Sequence, residues 1–311
     1  MTDAGRAAPT GEAAPSRCGF VALIGAPNAG KSTLVNRLVG AKVSIVSHKV
    51  QTTRSIVRGI AIRDATQIVF VDTPGIFAPK RRLDRAMVET AWGGARDADM
   101  VALLVDAARG IDDEAATLLS KLADIRQPKV LLLNKIDRVK RPDLLALAEA
   151  ANRAAAFDRT FMVSALTGDG VGDFLAWLAA VLPAGPWHYP ADEVSDVPLR
   201  SLAAEITREK LFERLHQELP YQATVETESW TERKDGSVRV EQTVTVAREA
   251  HKKMVIGKGG QTIKAISTAA RRDIAAAADR PVHLILFVKV REKWEDDPQR
   301  YRAMGLDYPK G

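Results

Sequence analysis

Gly19-Phe20-Val21-Ala22-Leu23-Ile24-Gly25-Ala26-Pro27-Asn28-Ala29-Gly30-Lys31-Ser32 is the stretch on which the fold turns. Residues 19–24 form an apolar run, the pattern of a strand covered on both faces by helices. Residues 25–32 then read G-x-x-x-x-G-K-S, and a helical pattern follows over 31–39. Strand, glycine loop and helix are the setting this motif requires. Small residues let backbone N–H groups curl round phosphate oxygens, and the helix N-terminus adds partial positive charge. Lys31 is placed to neutralise the β- and γ-phosphates and the Ser32 hydroxyl to ligate Mg2+, with Thr33 next in the helix.

Further apolar runs lie at 55–62, 67–71, 100–105, 130–133 and 160–163, alternating with helical patterns at 84–96, 112–125, 143–155 and 171–181. That alternation predicts a doubly wound α/β domain. Three more motifs sit at strand ends, where such sheets bind ligands. Asp72-Thr73-Pro74-Gly75 follows the strand 67–71, with Ile76 next. Asp72 can hold Mg2+ through a water, and the Gly75 N–H can reach the γ-phosphate. Asn134-Lys135-Ile136-Asp137 follows the strand 130–133. A carboxylate at Asp137 can accept from both the N1–H and the amino group of guanine, whereas adenine has no N1 proton. A site built to bond a group rejects the analogue lacking it by ~10⁴-fold or more. Lys135 can lie along the base plane, and Asn134 can tie this loop to the phosphate loop. Ser164-Ala165-Leu166 can present a backbone N–H to guanine O6. The expected ligands are therefore GTP or GDP with Mg2+.

Taken together, the four motifs resemble those of translation-factor-like GTPases. That resemblance implies that a threonine of Val50-Gln51-Thr52-Thr53-Arg54 closes on Mg2+, and its position favours Thr53 over Thr52. Residues 41–54 and 76–97 become the switches ordered by the γ-phosphate. Many small GTPases carry a glutamine after DTPG to orient the attacking water. Ile76 cannot do this, so the expected intrinsic turnover is slow, on the order of 10⁻⁴ to 10⁻² s⁻¹. In related GTPases an asparagine at the position of Asn28 helps hold K+, which implies K+-stimulated hydrolysis here. Lys31, Thr53, Gly75 and Asn28 make up the expected catalytic set, and Ser32, Thr53 and Asp72 the Mg2+ set.

Four prolines in the sixteen residues 183–198 mark a stiff linker, in which Trp187, His188 and Tyr189 are read as packing groups. Beyond it the order is helix (199–219), two strands (221–231 and 237–247) joined at Asp235-Gly236, a short basic helix (248–255), a glycine turn, a helix (261–278) and a third strand (282–290). Residues 248–272 hold seven Lys or Arg against one acid, Glu249. A bare GXXG occurs about once by chance in a chain of this length at ~7% glycine. Ile256-Gly257-Lys258-Gly259-Gly260 gains its weight from lying between two helices, after a hairpin and before a strand. That arrangement matches a type II KH domain, whose GXXG loop clamps about four nucleotides. The expected RNA contacts are Lys252, Lys253, Ile256, Gly257, Lys258, Gly259, Gly260 and Lys264, with Ile263 and the edge of 282–290 beside them.

The composition agrees with these readings. The chain has 311 residues, enough for about two domains. It is 46% hydrophobic and 27% charged, which excludes a wholly disordered chain. Its net charge of +6 suits an anionic partner. The single cysteine, Cys18, excludes an internal disulfide or a cysteine-cluster metal site. No apolar run approaches the ~18 residues of a membrane span, and the N-terminus lacks a signal-peptide pattern.

The expected organisation is a disordered tail (1–17), a GTPase domain (18–182), the linker (183–198), a KH domain (199–291) and a C-terminal tail (292–311). With QTTR, DTPG, NKID, SAL, VIGKGG and Lys289-Val290-Arg291-Glu292-Lys293-Trp294 in place, nearly the whole chain after residue 17 resembles the Era GTPase family. The resemblance implies a cytoplasmic monomer that binds the 3′ end of small-subunit (16S) rRNA and acts in maturation of the small ribosomal subunit. It further implies no DNA target and, at most, a peripheral, electrostatic contact with the inner membrane. The alternative keeps the GTPase but uses the KH-like unit to dock on a protein or membrane surface. Gly257→Asp with Lys258→Asp separates the two.

Overall fold

The computed structural model describes residues 15–49, 52–216 and 219–309. The first half is a six-stranded sheet in the order β2-β3-β1-β4-β5-β6. Its strands are β1 (Arg17–Gly25), β2 (Val57–Arg63), β3 (Thr66–Asp72), β4 (Met100–Asp106), β5 (Lys129–Asn134) and β6 (Arg159–Val163). Only β2 runs antiparallel to its neighbour. The others are parallel, so their C-terminal ends share one edge of the sheet.

Helices cover both faces, as the apolar runs require. On one face α1 (Lys31–Val39) and α5 (Val171–Val181) bury Leu34, Val35, Leu38, Phe174 and Leu178 against Leu23 and Phe70. On the other, α2 (Arg82–Asp97), α3 (Asp113–Leu122) and α4 (Arg141–Ala154) bury Ala91, Leu118, Leu119 and Ala151 against Ile24, Leu103 and Leu133. The Asp112 carboxylate caps α3 by accepting from the Ala115 N–H at 2.9 Å.

The proline-rich stretch is laid along the β2–β3 side of this sheet. Gln67, fully buried, accepts from the His188 and Tyr189 N–H groups (2.9 and 3.0 Å) and donates to the Tyr189 carbonyl (2.8 Å). The Trp187 indole donates to the Ala65 carbonyl at 3.1 Å. These three aromatics therefore pin the chain to the start of β3, at the opposite end of that strand from Asp72.

The second half has the expected order: α6 (Leu199–Arg214), β7 (Ala223–Glu232), β8 (Val238–Val246), α7 (Glu249–Ile256), α8 (Gln261–Ala278) and β9 (Val282–Val290). β7 pairs antiparallel with β8 through the Asp235-Gly236 turn, and β9 pairs parallel with β8. Ala203, Ile206 and Leu211 of α6 and Ile266 and Ile274 of α8 fill the core beneath this sheet. α6 stops at Arg214, short of the expected 219, because a separate turn at Leu219–Gln222 carries Pro220, which cannot continue a helix.

Both expected tails need correction. Residues 1–14 lie outside the described residues, but Arg17 already belongs to β1 and pairs with Thr66. Residues 292–309 are folded across both halves rather than free. Trp294 is 1% exposed and donates to the Gln222 carbonyl at 3.1 Å. Beyond it α9 (Pro298–Ala303) and the following turn bury Tyr301 and Leu306 against Leu83 and Met87 of α2.

Candidate functional site

Each nucleotide motif occupies the expected place at the C-terminal edge of the parallel strands. Gly25 ends β1 and the loop runs through Ala26, Pro27, Asn28 and Ala29 to Gly30, in the left-handed region at φ 100°, which caps α1. A Cβ on Gly30 would fall 2.3 Å from the Asn134 amide nitrogen, so the two motifs are packed in contact. The Lys31 ammonium, buried, donates to the carbonyls of Gly25 (3.0 Å) and Ala26 (3.2 Å). Burial lowers its pKa to about 8, against the opposing pull of Asp72.

Ser32, Thr53 and Asp72 come together. The Ser32 and Thr53 hydroxyls are 2.9 Å apart, and Ser32 donates to Asp72 Oδ2 at 2.7 Å. Ser44 donates to the same oxygen at 2.8 Å. Burial pushes the Asp72 carboxyl above its usual range, while Lys31 and the two hydroxyls act against the shift. Asp72 Oδ1 is buried and has no partner among the described residues. An orphaned carboxylate oxygen beside two hydroxyls is a donor set that fits a hard divalent cation such as Mg2+. Thr52 points elsewhere, donating to the Lys49 carbonyl at 2.7 Å. Val50 and Gln51 lie outside the described residues.

The Thr73 hydroxyl donates to the Leu23 carbonyl at 2.8 Å, holding the turn Thr73-Pro74-Gly75 beside β1. A Cβ on Gly75 would meet Pro27 at 3.0 Å, so the bare glycine is what lets this turn lie against the phosphate loop. The Ile76 N–H donates to the Gly25 carbonyl at 3.1 Å, and its side chain is buried among Ala22, Ile24 and Val105. It has no group with which to orient water.

At the base-reading end, Asn134 bridges three segments. Its amide nitrogen donates to the Ala29 carbonyl (2.8 Å), and its oxygen accepts from the Ala165 N–H (3.0 Å). Of the three residues expected to present a backbone N–H to guanine O6, Ala165 directs its own to Asn134. Lys135, left-handed at φ 67°, spans the loop by donating to the Asn28 carbonyl (2.7 Å) and to Asp106 (2.6 Å). Ile136 opens a short turn carrying Asp137, whose Oδ1 accepts from the Ser164 hydroxyl at 2.6 Å. Leu166 is exposed, and its carbonyl accepts from Arg37.

In the second half, α7, the glycine turn and α8 present Lys253, Lys258 and Lys264 respectively to solvent, with Lys252 and Ile256 partly covered. Gly257, Gly259 and Gly260 all have positive φ (74°, 58° and 77°). The turn is therefore one that only glycine or a short polar residue adopts easily.

Residues missed in the sequence lie between the halves. Glu209 on α6 accepts from the Lys42 ammonium (2.6 Å) and the Val46 N–H (2.8 Å). Arg208 donates to the Thr52 carbonyl. Arg54, buried, reaches the carbonyls of Ala223 (3.0 Å) and Tyr221 (3.1 Å). The sequence carries no signal for these contacts: Thr207-Arg208-Glu209-Lys210 is a polar run whose burial only the fold reveals.

A six-stranded sheet with a phosphate loop, joined to a three-stranded unit with a glycine turn between two helices, defines a GTPase domain carrying a KH domain. Comparisons with known proteins agree. A family model described as "50S ribosome-binding GTPase" matches residues 20–135, and a KH-domain model matches 218–295. GTPase Era of Sinorhizobium medicae is 69% identical over 96% of both chains, and that of Agrobacterium fabrum 64% identical over 100% of this chain and 99% of its own. A crystal structure of Era with MgGDPNP and nucleotides 1506–1542 of 16S ribosomal RNA superposes with a TM-score of 0.88 at 34% identity, covering 93% of this chain and 99% of that one. An Aquifex aeolicus Era variant bound to GDP·AlF4− superposes equally well. The chain belongs to the Era GTPases, and it is a GTP-hydrolysing enzyme.

Proposed function

We propose that this GTPase binds the 3′ end of small-subunit (16S) rRNA through residues 199–291 and that the nucleotide held by residues 18–182 controls that binding during small-subunit assembly. The carrying observation is that the strap formed by residues 42–49 and 52–54, which meets the phosphate loop and the start of α1 through His48 and Thr53, is fastened to α6 at the entry of the RNA-binding half. Any nucleotide that orders the strap must then bias the docking of that half. The "50S" description covers only the nucleotide-binding segment, whereas the relative holding 16S RNA spans 93% of this chain, which favours the small subunit. The protein acts as a cytoplasmic monomer, and any membrane contact is peripheral. No helix among the described residues is long and apolar enough to cross a membrane.

In this reading Ser32, Thr53 and Asp72 hold Mg2+, which neutralises charge developing on the β- and γ-phosphates. Lys31, the loop amides and the Gly75 N–H orient the γ-phosphate for in-line attack. Residues 134–137 and 164–166 hold guanine.

The test is the affinity of a labelled RNA matching the small-subunit 3′ end, measured with a non-hydrolysable GTP analogue and with GDP. A difference of about 10-fold, within the usual span of coupling energies, is expected. Equal affinities, or equal binding of DNA of the same sequence, overturn the reading.

Hydrolysis is also expected to be K+-stimulated. The Asn28 amide nitrogen donates to the His48 carbonyl at 2.9 Å, which leaves the amide oxygen on offer to a monovalent cation beside the phosphates. Added positive charge there stabilises the transition state, so turnover in KCl should exceed that in NaCl by about 10-fold. Equal rates in the two salts remove Asn28 from the catalytic set.

A further inference from the structure

α6 carries a burial pattern that a helix on one side of a sheet does not need. Thr207, Arg208, Glu209 and Lys210 are 0, 1, 3 and 6% exposed. Successive residues are about 100° apart around a helix, so four in a row face nearly every direction. The helix is enclosed from two sides. Towards its own domain, Thr207 donates to Gln242 (2.6 Å) and Lys210 pairs with Asp273 of α8 (2.8 Å). Towards the GTPase domain, Arg208 and Glu209 grip the strap.

A buried cation is tolerated only when paired and hydrogen-bonded. Arg208 meets that condition through Glu205, by Nε to Oε1 at 2.9 Å and a second contact from Nη2, and through the Thr52 carbonyl. Its guanidinium also lies 5.2 Å from the centre of the Phe212 ring. Arg54 makes the reciprocal contact, running from the strap into the second domain, where it ends 5.7 Å from the centre of the Trp294 ring. Thr53 lies between these two anchors, and its hydroxyl meets Ser32.

We propose that Arg208, with Arg54 as its counterpart, is a positioning residue for GTP hydrolysis: from the second domain it holds Thr53 against Ser32 and Asp72, so the GTPase site is complete only when the RNA-binding domain is docked. This rests on the assignment of Ser32, Thr53 and Asp72 to Mg2+. GDP is held by residues 25–33, 134–137 and 164–166, none of which Arg208 touches. Loss of Arg208 must therefore act on the triphosphate state and spare the diphosphate state.

The experiment uses the full chain as wild type, Arg208→Ala, Arg208→Lys and Glu205→Ala. Affinities for a fluorescent GDP and for a fluorescent non-hydrolysable GTP analogue are measured across a Mg2+ titration, alongside kcat. Removing one charged hydrogen-bond partner should lower both Mg2+-dependent analogue affinity and kcat by about 10-fold in Arg208→Ala, with GDP affinity unchanged. Arg208→Lys should recover part of the loss, because an ammonium can still donate to the Thr52 carbonyl. Glu205 is one-third exposed, and its loss removes the acid that orients Arg208 while leaving the Thr52 contact possible, so Glu205→Ala should show a smaller split in the same direction. Thermal unfolding of each variant, read alongside, separates loss of fold from loss of positioning. A parallel fall for both nucleotides, or no fall for the analogue, overturns the proposal. Wild type that shows no Mg2+-dependent gain for the analogue over GDP overturns the metal assignment instead.

Discussion

Asp137→Asn is expected to lower GTP affinity by about 10³- to 10⁴-fold and to pass the preference to xanthosine triphosphate. The carboxylate is an acceptor on both oxygens, and each oxygen can accept more than one hydrogen bond. Oδ1 already accepts from Ser164, which fixes the plane of the group without exhausting it. Guanine presents two donors, N1–H and the exocyclic amine. An asparagine would set its own amide donors against that amine while keeping one oxygen for N1–H. Xanthine replaces the amine by a carbonyl, and the mismatch becomes a match. The phosphate loop is untouched, so the variant should hydrolyse xanthosine triphosphate at close to the wild-type GTP rate. Calorimetric titration with the two nucleotides checks this. Unchanged preference would mean that another group reads the base.

Base selection rests on one residue because the nucleotide site is local. Each motif is a short run at the end of an apolar strand, and its chemistry needs only its own backbone and spacing. The apolar runs from 19–24 to 160–163 therefore located both the sheet and the edge that carries the ligand. The contacts between the halves are of the other kind. Arg54 and Ala223 are 169 residues apart, and Lys42 and Glu209 are 167 apart. Nothing at either end announces the partner. Within α6 the buried run 207–210 interrupts the apolar spacing and reads as an imperfect amphipathic helix. The cause is a second neighbour that periodicity cannot show. The C-terminal stretch misled for a related reason. Trp294, Tyr301 and Leu306 are scattered among charged residues without helical or strand period. Leu83 and Met87, against which Tyr301 and Leu306 pack, lie more than two hundred positions earlier, and the Gln222 carbonyl that Trp294 reaches lies 72 earlier. The Ala165 N–H belongs to the same class, because only the folded sheet brings it to Asn134.

Lys258→Asp combined with Gly259→Asp is expected to weaken RNA binding by about 100-fold at physiological salt while leaving GTP affinity unchanged. The choice of positions follows from the turn. At Gly257 a Cβ would lie 2.1 Å from the Thr262 hydroxyl oxygen, at φ 74°, so Gly257→Asp would rebuild the start of α8 and confuse loss of shape with loss of charge. Gly259 has open space around its Cβ position and sits at φ 58°, ψ 22°. That is the left-handed well in which aspartate is among the better tolerated residues. Lys258 is exposed. The pair of changes therefore keeps the backbone, and folding stability should fall by no more than about 1–2 kcal/mol, the cost of a non-glycine residue in the left-handed region. What changes is the field. Two carboxylates replace one ammonium at the N-terminus of α8, where the helix dipole and the bare turn favour phosphate. Each phosphate neutralised by a cation contributes about one unit to the slope of log affinity against log salt, and Lys258 is the one cation removed, so the slope should flatten by about one. Filter binding or anisotropy across a salt series measures both quantities. If affinity fell but the slope did not, the turn would be contacting bases rather than backbone. If neither moved, the RNA would lie elsewhere on the molecule, and the basic face of α7 and α8 would be no more than a solvated surface.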